Sequence, residues 1–284
     1  MKLAFSTVAT PEWTLDRVID FARRIDVNGI ELRTFGDDSA HFTPDPCLTS
    51  FPKIRRLMAD AGVEPACLAT SITFDEPVRP PVVGRLFGTY ELCVAHTKRM
   101  IEVATQIECP FVRVFGFELQ PRESRRAGLR RVIDRLQLAA ACARNTGVRI
   151  LLENGGSFPT AEDLAEIIAR VDSPLIDAAY SPAVAEAVGE DPLDGLAIIA
   201  NHLESVKVKD FDGTRPVPVG SGEMRCEEIV RRLGETGFTG WIVVEWDRMW
   251  LDGLADAEQV IPPAIESIAS WYAAGARTPE PVGV

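Results

Sequence analysis

Val148-Arg149-Ile150-Leu151-Leu152-Glu153-Asn154-Gly155-Gly156 reads as a buried β-strand that runs straight into an acid and then into a loop. The arrangement returns at Trp241-Ile242-Val243-Val244-Glu245-Trp246. An apolar strand core followed at once by a carboxylate is how parallel barrels present reactive groups at the C-terminal rim of their strands. Two such junctions in one chain direct the search for function to that rim.

Working outward from these two stretches, short β-rich runs alternate with longer segments of helical period. Strands are expected at Leu3-Ser6, Gly29-Arg33, Val63-Ala69, Phe111-Phe115, Val148-Leu152, Leu175-Asp177, Leu203-Lys209 and Trp241-Trp246. Between them, Leu15, Val18, Ile19, Ala22 and Ile25 recur every three to four residues, as do Leu129, Val132, Ile133, Leu136 and Ala140. That spacing makes one apolar helix face. Gly62, Gly147 and Gly237 stand between a helical stretch and a strand, where a left-handed residue ends a helix at little steric cost. Eight βα units favour a closed (β/α)8 barrel, an α/β fold of one domain over residues 1–274, with a loose tail at 275–284. Residues 34–49 and 70–84, rich in proline, read as extended covers over the rim. Gly155-Gly156 is too little for a phosphate loop, and no dinucleotide fingerprint appears.

Composition narrows the partners. A chain of 284 residues, 46% hydrophobic, has enough apolar content for one large core, and its net charge of -12 disfavours nucleic acid, whose binders need clustered Lys and Arg. No run of about 18 apolar residues suggests a membrane span, and the N-terminus lacks the features of a targeting segment. Six cysteines without CxxC spacing suit reduced thiols, so a cytoplasmic setting is expected. A small molecule is therefore the expected partner; the oligomeric state stays open, a homo-oligomer included.

Side chains alternate along a strand, so fixing one residue fixes its face. With Glu153 pointing inward, the rule collects Glu31, Arg33, Arg113, Glu153, Asp177, Lys207, Lys209 and Glu245 at one mouth. Buried charges are costly unless paired or liganded, so a purely structural core would rarely keep so many. Glu31 and Arg113 could also be no more than structural partners, and Lys209 the partner of a rim acid. Trp13, Trp246 and Trp250 follow strands at the rim, where stacking on a sugar and ordinary packing both account for them. Arg248 is a candidate for a substrate anion. His41, in the first cover, could reach a ligand, whereas His96 and His202 read as surface residues.

Val206-Lys207-Val208-Lys209-Asp210, then Val219-Gly220-Ser221-Gly222-Glu223 and Val243-Val244-Glu245-Trp246, together with Gly29-Ile30-Glu31-Leu32-Arg33 and Leu151-Leu152-Glu153-Asn154, resemble the xylose isomerase-like TIM-barrel family. This family comprises sugar isomerases and epimerases and also holds endonuclease IV and inosose dehydratases. The resemblance implies a (β/α)8 barrel and a divalent cation held by a Glu, an Asp, a His and a Glu at strands 5 to 8. The matching positions are Glu153, Asp177, Lys207 and Glu245. Lys207 departs from the pattern, because an ammonium offers donors and no lone pair. One manganese, magnesium or zinc ion is then weakened or absent, with Lys207 itself standing among the acids as an internal cation. Tyr180 takes the place of a substrate-contacting histidine. Endonuclease IV activity is disfavoured by the three histidines, none at a matching rim position.

Isomerisation and epimerisation both begin by removing a proton beside a carbonyl, which needs a carboxylate base, a cation or donor on the developing enolate, and an acid. Glu153, Glu245 and Lys207 are the catalytic candidates. Arg33, Arg113, Tyr180, Lys209, Arg248 and Trp13 are the substrate-binding ones. The leading expectation is an isomerase or epimerase of a sugar or keto-polyol. A dehydratase or lyase of an oxidised sugar or cyclitol, and a non-catalytic sugar-binding barrel with a degenerate metal site, are the alternatives.

Overall fold

In the computed structural model, which describes residues 1–34, 50–75 and 92–277, eight parallel strands close into a barrel. They are β1 (Lys2–Ser6), β2 (Gly29–Arg33), β3 (Glu64–Thr73), β4 (Phe111–Phe115), β5 (Arg149–Glu153), β6 (Ile176–Tyr180), β7 (Leu203–Val208) and β10 (Trp241–Val244). They follow one another around the ring in chain order, and β1 closes it against β10, with Lys2 opposite Trp241 and Phe5 opposite Val244. The alternation read from the sequence therefore corresponds to a (β/α)8 barrel. Between β7 and β10 the chain adds an antiparallel hairpin, β8 (Asp210–Asp212) and β9 (Arg215–Val217), that the strand pattern did not foretell.

Around the barrel lie, among the described residues, the helices α1 (Leu15–Arg24), α2 (Phe51–Ala61), α3 (Leu92–Ile107), α4 (Arg125–Cys142), α5 (Ala161–Val171), α6 (Pro182–Glu186), α7 (Pro192–Ile199), α8 (Cys226–Glu235) and α9 (Ala257–Ala276). Their buried faces are the ones the spacing picks out: Leu15, Val18, Ile19 and Ala22 on α1, and Leu129, Val132, Ile133 and Leu136 on α4. Each of these Leu, Val and Ile side chains, when fully buried, stabilises the fold by roughly 1.5–3 kcal/mol. Helix starts are chemically specified. Thr160 and Asp163 form a reciprocal capping box at α5, and Asp191 accepts from Leu193 N ahead of Pro192 at α7. Gly62 ends α2 at φ 69°, a conformation that costs glycine little, and Gly147 and Gly237 take the same left-handed backbone.

The core has two parts. The larger one fills the layer between the outer faces of the strands and the helices. A smaller one, made of Ala4, Ala66, Cys67, Phe111, Leu151, Ala179, Trp241 and Val243, plugs the barrel interior. Small Ala4 and Ala179 leave room for the bulk of Trp241 and Phe111, so the interior is a packed floor and not a pore.

Some boundaries differ from expectation. The sixth strand, expected at 175–177, runs from Ile176 to Tyr180. Alanine is a weak strand former on its own, yet Ala178 and Ala179 are held by pairing with Leu152 and Glu153 of β5 and with Leu203 and Ser205 of β7. The third strand continues to Thr73, into the stretch expected to begin a cover at residue 70. The last helix reaches Ala276, two residues into the expected tail. Most of the two covers (35–49 and 76–84), His41, Cys47 and residues 278–284 lie outside the described residues. The five described cysteines are free thiols. Among the described residues no helix is long and apolar enough to cross a membrane.

Candidate active site

Strand alternation turns Glu31 and Arg33 of β2, Arg113 of β4, Glu153 of β5 and Lys207 of β7 into the barrel above its apolar floor. Lys209, Glu245 and Asp247, just past the ends of β7 and β10, complete the group. Lys207 lies at its centre. Its Nζ is 2.5 Å from Glu245 Oε2, 3.2 Å from Glu31 Oε1 and 3.4 Å from Glu153 Oε2, and its side chain is 2% exposed. Lys209 Nζ bridges Glu245 Oε1 and, at 3.2 Å, Asp247 Oδ1. Arg113 lays its guanidinium over the Phe115 ring at 4.4 Å and places Nε 3.2 Å from Glu153 Oε2. The last pair is close but poorly aligned: neither Arg113 Nε nor Glu153 Oε2 forms a hydrogen bond with the described residues.

These charges balance. Glu31, Glu153, Glu245 and Asp247 oppose Arg33, Arg113, Lys207 and Lys209, so the group sums to zero. Mutual pairing sets its titration. Burial works to lower the Lys207 pKa, but Glu153, Glu245 and Glu31 hold it well above the usual lysine range. Burial likewise works against the Lys209 cation, and Glu245 and Asp247 raise its pKa above normal. Burial alone would raise the Glu245 carboxyl; Lys207 and Lys209 instead pull it far below the usual carboxylate range. Lys207, Lys209 and Glu245 are thus all charged at neutral pH.

The mouth opens into a cavity of about 530 Å³ lined by Arg33, Arg113, Glu153, Lys207, Lys209, Glu245 and the half-exposed Trp250, among others. A smaller cavity of about 300 Å³, bordered by Leu196, Leu233 and Phe238 beside α7 and α8, has no comparable convergence of charge. Of the residues singled out from sequence, the structure gathers Arg33, Arg113, Glu153, Lys207, Lys209 and Glu245 here. It adds Asp247, which the sequence reading overlooked, although a position two residues beyond Glu245 continues the same inward parity.

Four expected site residues are elsewhere. Asp177 is near the start of β6, opposite Leu151 in register, and its carboxylate is 2.5 Å from Arg149 at the N-terminal end of β5, with His202 3.7 Å away. It therefore belongs to the far end of the barrel, and the residue opposite Glu153 is Ala179. The error follows from the misplaced strand: a β6 ending at residue 177 puts Asp177 at the rim, whereas the observed β6 continues past it. Tyr180, one residue out of phase with Ala179, points to the helices, is fully buried, and donates to Glu190 Oε1 at 2.6 Å against Gly195 of α7. Trp13 is buried edge-on to Phe21 at 5.2 Å, with Arg17 over its ring. Arg248 is tied to Glu12 at 2.6 Å, Asp256 at 3.1 Å and the Ala9 carbonyl, where it fastens the loop after β10 to the one after β1. Trp246 packs into the outer core.

The residues do not fit the divalent cation that the family resemblance implies. An ammonium occupies the point where Glu31, Glu153 and Glu245 converge, the strand 6 carboxylate is at the other end of the barrel, and Ala179 offers no ligand. A fixed positive charge at ~4 Å repels an ion by ~4 kcal/mol per unit of ion charge at an effective dielectric of about 20. Among the described residues, no three His, Cys, Asp or Glu side chains are grouped to hold a metal.

A family model described as xylose isomerase-like TIM barrel matches residues 19–271. Sequence comparison with curated proteins gives no match. Among solved structures, an L-ribulose 3-epimerase superposes with a TM-score of 0.80 at 15% identity, covering 97% of this chain and 96% of that one. The IOLI protein with a bound zinc atom gives 0.78 at 17%, covering 98% and 100%. The "probable 3-DHS dehydratase AsbF" of Bacillus anthracis gives 0.76 at 13%, covering 95% and 99%. At such identities the likeness is one of fold.

Proposed function

The chain belongs to the xylose isomerase-like TIM-barrel family, and from that premise we propose that it is a sugar or keto-polyol isomerase or epimerase that removes a proton from the carbon beside a carbonyl. The observation that carries this reading is Glu153 Oε2: buried at the mouth, 3.2 Å and 3.4 Å from two cations, and accepting no hydrogen bond from the described residues. A carboxylate oxygen so placed has a lone pair free for a substrate proton.

In the proposed reaction Glu153 takes the proton from carbon, and the electron pair moves onto the carbonyl oxygen as an enolate. Lys207 and the more open Lys209 face that negative charge as preorganised donors, the role for which a buried cation is effective. Glu153 then gives a proton back to carbon, while Glu245, three strands from Glu153 around the ring, stays ionised and holds Lys207 and Lys209 against the developing charge. Asp247 holds Lys209. Because the donor set does not fit a dication, electrostatic stabilisation is assigned here to the two lysines. The cavity, with charged side chains set among apolar and aromatic ones, and the acidic chain suit a small-molecule sugar rather than a polyanion. The free thiols suit a reducing cytoplasm.

Incubating ketoses and keto-polyols in heavy water with the protein tests the reading. Incorporation of deuterium at the carbon next to the carbonyl, lost in Glu153→Gln, is expected. An absorbing enone product in place of an epimer would move the assignment to a dehydratase, and no exchange with any ketose would leave a binding barrel.

A further inference from the structure

Resting on the reading of this mouth as a sugar site, we propose that the substrate is a sugar acid, whose carboxylate is held by the edge of the Arg33 guanidinium while Trp250 covers the face of that guanidinium. Arg33 differs from every other cation of the group. Lys207, Lys209 and Arg113 each have a carboxylate within ion-pairing distance. Among the described residues no carboxylate comes that close to Arg33, although it is only 9% exposed. Two of its N–H groups are used by neutral acceptors, the Ala69 carbonyl at 2.8 Å and Ser71 Oγ. Those bonds orient the side chain without neutralising it. A buried guanidinium without a contact anion is costly and calls for a partner.

Geometry selects the partner's class. Guanidinium donors lie in its plane and form a fork that matches a carboxylate bidentately. The face is already used by the Trp250 ring, 5.5 Å from the guanidinium carbon, so the approach left is edge-on from the cavity that both residues line. Trp250 is 57% exposed, and its ring offers an apolar surface to the carbon chain of the same ligand. One guanidinium without a contact anion matches one carboxylate charge. A phosphate carries more charge and many more acceptors, and the other cations around this mouth are already taken by Glu31, Glu153, Glu245 and Asp247. Burial, and then repulsion from Arg113, lower the Arg33 pKa to about 10 against the opposing pull of Glu31, Glu245 and Glu153, and Arg33 is still protonated at neutral pH.

Three six-carbon probes without an aldehyde or ketone separate binding from turnover: D-gluconate, D-sorbitol and D-sorbitol 6-phosphate, each titrated calorimetrically into the wild-type protein. Gluconate is expected to bind at least about tenfold more tightly than sorbitol or the phosphate. The preference should vanish in Arg33→Met and shrink in Arg33→Lys, which keeps the charge and loses the fork. Should Arg33→Met fail to fold, Arg33→Lys carries the comparison. Trp250→Ala should weaken gluconate and sorbitol alike. Equal binding of gluconate and sorbitol, no gluconate binding up to millimolar concentration, tighter binding of the phosphate, or a preference intact in the folded Arg33 variants would each overturn the proposal. Heavy-water exchange is a separate readout: acid preference without exchange removes the isomerase reading and keeps the carboxylate site, whereas exchange on neutral ketoses without acid preference does the reverse.

Discussion

Lys207 Nζ and Glu245 Oε2 stand 2.5 Å apart inside the barrel, the tightest of three carboxylate contacts that this one ammonium makes. Lys207 is the electrostatic keystone of the mouth. Replacing it with methionine removes the charge that three buried acids share, and leaving such charges uncompensated costs about 3–5 kcal/mol. Lys207→Met is expected to lower the urea midpoint correspondingly. A midpoint equal to wild type would show that water, and not Lys207, neutralises those acids.

Lys207→His tests the relation to metal. The substitution removes a fixed positive charge and supplies a lone pair beside Glu31, Glu153 and Glu245, a mixed N/O ligand set suited to a divalent cation. Manganese or zinc should bind the variant at least about tenfold more tightly than the wild type by calorimetry. Equal affinities would mean that the lysine swings clear of the ion.

Glu153→Gln is expected to leave the fold intact and to reduce proton exchange by about 10²–10⁴-fold, since the amide keeps the shape and cannot take a proton. Activity near wild type in this variant would take Glu153 out of the acid–base role.

Asp177→Asn separates the two ends of the barrel. The carboxylate pairs with Arg149 far from the cavity, so the variant should lose about 1–3 kcal/mol of stability and keep its turnover. A loss of turnover without a loss of stability would return Asp177 to the reaction.

Stability should depend on pH asymmetrically. The carboxyl of Glu245 is lowered in the fold, so its contribution is present above the unfolded value of ~4.3 and is lost as pH falls. Lys207 and Lys209 are raised, so theirs is complete below the unfolded value of ~10.4 and is lost only as pH climbs through the folded values. A plateau from about pH 5 to 10 is expected, with an acid-side fall that Glu245→Gln makes shallower in urea titrations across pH. An unchanged acid-side slope in that variant would assign the fall to other carboxylates.

Local pattern alone determined much of this protein. Apolar strand cores ending in Glu153 and Glu245, and amphipathic spacing between them, specify repeated βα units, because burial of one face per element depends only on nearby residues. Period-two alternation then puts Arg33, Arg113, Lys207 and Glu245 inside the same barrel. What the sequence did not carry is how far each strand runs and which partner each charge finds. Those depend on residues remote in the chain: β6 extends through two alanines because β5 and β7 pair with it, which takes Asp177 away from the mouth, and a phase of one residue turns Tyr180 outward. Lys207 meets Glu31 across 176 residues of chain, and among the described residues no carboxylate comes within ion-pairing distance of Arg33. Only the closed barrel brings such groups within a few ångströms, where distance and burial, not residue type, decide which charges are satisfied and which await a ligand.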